Sequence, residues 1–245
     1  MRNIKLIVSY DGTDFSGWQR QPDLRTVQGV LEETVQGITG SLPAMNVSGR
    51  TDAGVHAIGQ VAHFLTVSSL STRVILKALN AMLPLDIRVQ AVEDMPQSFH
   101  CTLDTISKRY RYVIDNGWIA DPFTIRYAWH VYPKLDAEAM RRAGRALIGR
   151  HDFRSFETNW PNRMSSVRTI FDLEVVREGE RVIVEVEADG FLYNMVRAIT
   201  GTLVWVGTGR RTEAFPGEAM KAESRAEAGV TAPPQGLFLL WARYS

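Results

Sequence analysis

Two spacings of apolar residues alternate along this chain. Residues 3–9 place Ile4, Leu6 and Val8 on one face, the repeat of a half-buried strand. From Thr26 the spacing lengthens: Val27, Val30, Leu31, Val35 and Ile38 fall on one side of a helix that Gly40 ends. Met45 and Val47, then Ile58, Val61, Ala62 and Phe64, read as two strands with a polar loop between them. A second helix is predicted from about Thr72 to Met82, with Ile75, Ala78, Leu79 and Met82 inward and Pro84 beyond its end. Ile87, Val89 and Ala91 alternate as a further strand.

The pattern then repeats in kind. Ser107 to Asp115 predicts a strand with Lys108, Tyr110, Tyr112 and Ile114 on one face and Arg109, Arg111 and Val113 on the other. Asp136 is an N-cap candidate for a helix running to Gly149, its apolar face Met140, Ala143 and Leu147. Strands over about 166–177 and 181–188 are joined by the turn Glu178-Gly179-Glu180. A helix from about Leu192 to Val206 and a strand from Leu237 to Tyr244 follow. The Gly-, Ala-, Glu- and Pro-rich stretch 207–235 reads as loop with one short helix near Glu218–Arg225. Each half thus runs strand, helix, strand, strand, helix, strand, the order of a split β-α-β unit. The predicted fold is α+β: two ferredoxin-like units, 1–105 and 106–245, whose mainly antiparallel sheets join with the active-site cleft between them.

Composition changes this picture little. The hydrophobic share of 45% and charged share of 22% are those of a globular protein. The single cysteine, Cys101, excludes an intramolecular disulfide framework and a multi-cysteine zinc site. No apolar run approaches the ~18 residues of a membrane span, and the N-terminus enters a strand pattern with no signal-peptide cleavage site. The expectation is a cytoplasmic protein with no membrane association. Net charge is +1, so bulk charge does not draw a polyanion; an RNA partner has to be held by a local surface.

The chemistry concentrates in Gly49-Arg50-Thr51-Asp52-Ala53-Gly54-Val55-His56. A guanidinium, a hydroxyl and a carboxylate stand in consecutive positions between two glycines, on a loop that two strands hold. Turns use the same residues, so composition alone does not separate this loop from an ordinary surface turn.

The wider pattern resembles the tRNA pseudouridine synthase A family in nearly every block. The blocks are Tyr10-Asp-Gly-Thr13, Gly17-Trp-Gln-Arg-Gln-Pro22, Arg25-Thr-Val-Gln28, the loop above, Leu83-Pro-Leu-Asp-Ile87 and Phe99-His100. They continue with Lys108-Arg-Tyr-Arg-Tyr112, His151-Asp-Phe153, Val167-Arg-Thr-Ile170, Phe191-Leu-Tyr-Asn-Met-Val-Arg197, Thr231-Ala-Pro-Pro234 and Gly236-Leu237. The resemblance implies isomerisation of uridine to pseudouridine at positions 38, 39 and 40 of the tRNA anticodon stem-loop, by a homodimer without cofactor or metal. It implies that Asp52 is the catalytic aspartate, that Arg50 helps displace and hold the flipped nucleotide, and that Tyr110 stacks on the target base. Arg197 would pair with Asp52, and Leu237 would wall the uracil pocket.

That chemistry suits these residue types. Breaking the bond between uracil N1 and ribose C1′ leaves C1′ electron-poor, and a carboxylate can attack it, as carboxylates do at sugar carbons. Alternatively it removes a proton from C2′; the sequence does not choose. Stacking a base on an aromatic ring contributes about 1–3 kcal/mol. Extruding a base from a stem costs a few kcal/mol, and a guanidinium can fill the space it leaves.

Other residues read more plainly. Tyr112 and Trp18, Trp129, Trp205 and Trp241 are expected in the core, and Arg109 and Arg111 are either phosphate contacts or a solvated face. Lys77, Arg141, Arg142 and Arg145 lie on helix faces that are ordinarily solvated. His56 and His63 with Asp52 are the only outline of a metal-dependent hydrolase, and a non-catalytic RNA-binding protein is the other alternative. The chain departs from the family where Cys101-Thr102 follows Phe99-His100 in place of Ala-Arg, and where Ala198 follows Arg197 in place of Asn. The stretches 154–166 and 207–228 are short, which bears on the choice among the three uridines.

Overall fold

The computed structural model describes residues 1–158 and 165–245. Residues 159–164, inside the short stretch 154–166, lie outside the described residues. The chain forms two compact units, Met1–Ile106 with Phe238–Ser245, and Ser107–Leu237.

The first unit opens with β1 (Arg2–Tyr10), whose Ile4, Leu6 and Val8 are fully buried. Helix α1 (Val27–Thr39) starts where the Thr26 hydroxyl accepts from the Gly29 N–H, and stops where Gly40 turns left-handed at φ 80°. The short β2 (Asn46–Val47) and the long β3 (His56–Thr66) border the polar loop. Helix α2 (Thr72–Met82), capped by Ser71, is tied to β4 (Ile87–Met95) by Asn80, whose amide bonds both the N–H and the carbonyl of Val89. Ile75 and Leu79 are buried as the spacing predicts, but Met82 is 56% exposed. It is the last helical residue, and Leu83 in the cap takes the inward place instead.

In the second unit, β5 (Ser107–Asp115) is followed by β6 (Trp129–His130), a two-residue parallel partner of its end. Helix α3 (Ala137–Gly144) begins at Asp136, whose carboxylate accepts from the Ala139 N–H. It ends well short of Gly149. A turn of tighter helix covers 145–147, and the chain at 149 has already become β7 (Gly149–Asp152). The hairpin of β8 (Val167–Glu178) and β9 (Arg181–Ala188) turns on Gly179 at φ 60°. Helix α4 (Met195–Gly207) starts three residues later than periodicity suggests, because Asn194 is left-handed at φ 63°. The short helix of the 207–235 stretch is α5 (Phe215–Lys221), displaced toward the N-terminus from its expected place. Strand β10 (Leu237–Arg243) ends the chain.

The fold is α+β with mainly antiparallel sheets. In the first unit β1 lies between β4 and β3, antiparallel to both. The free edge of β3 is shared: β2 pairs with His63 and Ala62, and β10 runs parallel at His56 and Ala57. Gly59 permits this approach, since a Cβ there would lie 2.5 Å from the Leu240 carbonyl oxygen. The end of the chain therefore returns to the first unit, where the sequence alone assigned it to the second half. In the second unit the order is β5-β9-β8-β7, all antiparallel. Helix α4 is almost wholly buried, and Gly144 and Gly207 let α3 sit against Leu173 of β8 and α4 against Met140 of α3.

Candidate active site

The loop carrying Arg50 and Asp52 leaves β2 and returns as β3, and hydrogen bonds hold its backbone at Ser48, Gly49, Thr51, Asp52, Gly54 and Val55. Ser48 N–H donates to the Val61 carbonyl (2.8 Å), keeping the ladder for one residue beyond β2. Gln60 of β3 then reaches across beneath the loop. It is fully buried, and its amide uses all its capacity: the nitrogen donates to the Gly49 carbonyl (2.8 Å) and to the Tyr10 hydroxyl oxygen (3.4 Å). Its oxygen accepts from the Ser48 hydroxyl (2.8 Å) and the Val61 N–H (3.1 Å). A polar side chain in that position is stable only when satisfied in this way.

Thr51 is held at both ends. Its hydroxyl meets that of Tyr10 at 2.7 Å, and its carbonyl accepts from Trp18 N–H at 3.0 Å. The segment 11–18 packs so closely on the loop that only glycine fits at two points. A Cβ on Gly12 would lie 2.0 Å from the Val55 oxygen, and one on Gly17, at φ 89°, 2.9 Å from the Thr51 oxygen. Val55 N–H closes the turn on the Asp52 carbonyl, Gly54 N–H donates to Phe15, and Gly12 N–H donates to His56 Nδ1. The Asp11 carboxylate lies 3.2 Å from the same nitrogen. Burial alternates through the triplet: Arg50 is exposed, Thr51 buried, Asp52 half-buried.

Tyr10 is completely enclosed, and burial pushes its hydroxyl up to about 12, against the opposing hydrogen bonds from Thr51 and Gln60. It keeps its proton at neutral pH. The Tyr10 hydroxyl oxygen accepts from Gln60, and between the Tyr10 and Thr51 hydroxyls either can be the donor.

The remaining predicted residues belong to the second unit. Tyr110 lies on β5 opposite Val186, buried, with its ring edge-to-face against Phe191 at 4.9 Å. Arg197, in the first turn of α4, donates through Nε to the Ala232 carbonyl (2.7 Å) and through Nη1 to Asn194 Oδ1 (2.6 Å). Asn194 in turn donates to the Thr158 hydroxyl, so the left-handed residue before α4 also orients the guanidinium. Leu237 is buried at the start of β10, after Gly236, where a Cβ would lie 2.6 Å from the Tyr112 ring. Tyr112 is core, as expected. It donates to the Pro233 carbonyl at 2.6 Å, and burial raises its pKa far above the phenol range despite the nearby Arg197 charge.

Arg109 and Arg111 are committed to carboxylates. Arg109 bonds Glu185, Asp172 and Glu174, and Arg111 bonds Glu185. Trp18 is core, while Trp129, Trp205 and Trp241 are half-buried. Arg141 and Arg142 pair with Glu138 and Glu213 on the surface. His63 is buried and accepts from Cys101 N–H. Among the described residues no group of three or more His, Cys, Asp or Glu side chains is placed to hold a metal ion, and no helix is long and apolar enough to cross a membrane.

Pattern reading picked out Arg50 and Asp52 and missed what holds them. Gln60 carried a signal, a polar residue within the apolar run Ile58–Phe64, and Tyr10 closed an alternating strand. Asn194 stands in the block Phe191–Arg197, but nothing in the pattern marks it as left-handed or as the partner of Arg197.

The chain matches the family model described as tRNA pseudouridine synthase over residues 6–104 and 143–245. It is 47% identical over 237 residues to the tRNA pseudouridine synthase A of Brevibacillus brevis, with 97% of each chain aligned. It is 44% identical over 241 residues to that of Geotalea uraniireducens, with 98% of each aligned. Identity to that of Acetivibrio thermocellus is 42% over 245 residues, spanning the full length of both.

Proposed function

The chain belongs to the tRNA pseudouridine synthase A family, and from that premise we propose that it isomerises uridine to pseudouridine at positions 38, 39 and 40 of the tRNA anticodon stem-loop. It is an enzyme that isomerises uridine in tRNA; the positions and the residue roles are our reading. The N-terminal half, 1–105, supplies the catalytic loop, and the C-terminal half, 106–245, supplies the stacking tyrosine and the partner arginine. The working form is a homodimer, and no cofactor or metal takes part.

The observation that carries this reading is the immobilised loop, with Asp52 half-buried beside the fixed Thr51. The reaction cleaves one bond at C1′, turns the uracil and joins C5 to the same carbon, so nothing leaves and no electrons are exchanged with a second reactant. What the protein must supply is charge and position. Asp52 acts on the ribose as a carboxylate, either attacking C1′ or taking the C2′ proton, and Arg197 keeps it ionised by pairing with it. Tyr110 stacks on the detached uracil so that it turns without escaping, and Leu237 closes the pocket. Exposed Arg50 enters the helix as the nucleotide is extruded and bonds the phosphate backbone.

Asp52→Asn tests the reading at its centre. The variant should fold, bind tRNA and form no pseudouridine in a carbodiimide-labelling assay. Turnover near the wild-type rate refutes the assignment.

A further inference from the structure

We propose that Gln60, Tyr10 and Thr51 form a positioning relay that holds Arg50 and Asp52 in register with the substrate. The inference rests on the function proposed above and concerns residues that touch no reacting atom.

The relay links three buried side chains. A Gln60 amide N–H donates to the Tyr10 oxygen, and the Tyr10 and Thr51 hydroxyls share a hydrogen bond in which either can donate. The other Gln60 N–H fixes the carbonyl of Gly49. The residues on both sides of Arg50 are thus referred to a single buried amide on β3. Thr51 is the buried peg of the triplet, between exposed Arg50 and half-buried Asp52. Moving the peg moves both functional side chains together. The relay is also dry: Gln60 and Tyr10 are buried, and Thr51 is 7% exposed. Water is poorly placed to replace a lost hydroxyl, so removing one leaves its partner unsatisfied. Misplacement of a catalytic group by about 1 Å can cost on the order of a hundredfold in rate. The backbone bond from Trp18 to Thr51 survives any change of these side chains, so the loop keeps its place approximately and loses its fine alignment.

The test is a double-variant cycle on Tyr10→Phe and Thr51→Val, with Thr51→Ser as the conservative control. Single-turnover pseudouridine formation is measured at saturating enzyme, beside tRNA affinity and thermal melting. Each single variant should lose about ten- to a hundredfold in rate with tRNA Kd within about threefold of wild type. The double variant should be no slower than the worse single, since both break one link. Thr51→Ser should recover most of the rate. Wild-type rates in both singles, losses that multiply in the double, or no recovery in Thr51→Ser each overturn the relay. If Thr51→Val does not fold, Tyr10→Phe decides alone: a rate loss at unchanged Kd, measured at a temperature where the variant is fully folded, supports the relay, and an unchanged rate removes it. Failure of the underlying reading looks different, because wild-type protein would then form no pseudouridine.

Discussion

Gly17 combines a left-handed backbone with a contact that leaves no room for a side chain, and it does so against the carbonyl of Thr51. Strain there is therefore transmitted to the residue before Asp52. Gly17→Ala should lower stability by about 1–3 kcal/mol in urea melts, from the φ change and the displaced contact together. It should reduce turnover more than that loss of folded protein explains. A variant as stable and active as wild type contradicts the packing described. At Tyr112, loss of the hydroxyl in Tyr112→Phe strands the Pro233 carbonyl and should cost about 1 kcal/mol. The same melts measure it.

At the scale of elements, the outer face of β5, β9 and β8 is a ladder of opposite charges centred on Arg109, whose side chain is only 15% exposed. Burial alone would raise the Glu185 carboxyl, but hydrogen bonds from Arg109 and Arg111 outweigh it and hold the pKa below the ordinary glutamate value. The sign follows from linkage. A folded pKa below the unfolded one, about 4.3, adds stability above that pH, and the gain disappears as pH falls through the folded value. Arg109→Gln should therefore destabilise the protein by about 1–3 kcal/mol at pH 7 and flatten the decline of stability between pH 5 and pH 2. Denaturant titrations across that range show it; an unchanged acid limb would mean the ladder adds nothing.

The same ladder shows what the sequence could tell. Strand β5 was legible to the residue and the β8–β9 hairpin to within one residue, because alternation and a glycine turn are local signals. That Arg109 and Arg111 serve carboxylates was not, since their partners lie more than 60 positions away and only strand pairing brings them together. The end of α3 was misread for a related reason: Leu147 is buried at helical spacing, but in a tighter turn that leads straight into β7. At the site, glycines and mixed chemistry drew attention to the Arg50–Asp52 triplet, and the resemblance of the surrounding blocks set it apart from an ordinary turn. Gln60 and Tyr10 looked like strand residues, and only the bonds they make reveal what they hold.

For the whole molecule, a net charge of +1 gives no long-range attraction to a polyanion, so tRNA recognition rests on local surfaces and shape. The proposed homodimer would double the surface available, and sedimentation equilibrium without tRNA should return about twice the 27.5 kDa chain mass. A monomer mass at micromolar concentration rejects it. The central claim is that this chain rearranges uridine in the anticodon arm with its own side chains alone. Incubating the wild-type protein with an unmodified tRNA transcript in chelator-treated buffer, then mapping pseudouridine along the RNA, tests it most directly. The account predicts new pseudouridine at positions 38, 39 and 40 where uridine stands there, and none with Asp52→Asn. Modification confined to another arm, or none with the wild-type protein, contradicts it.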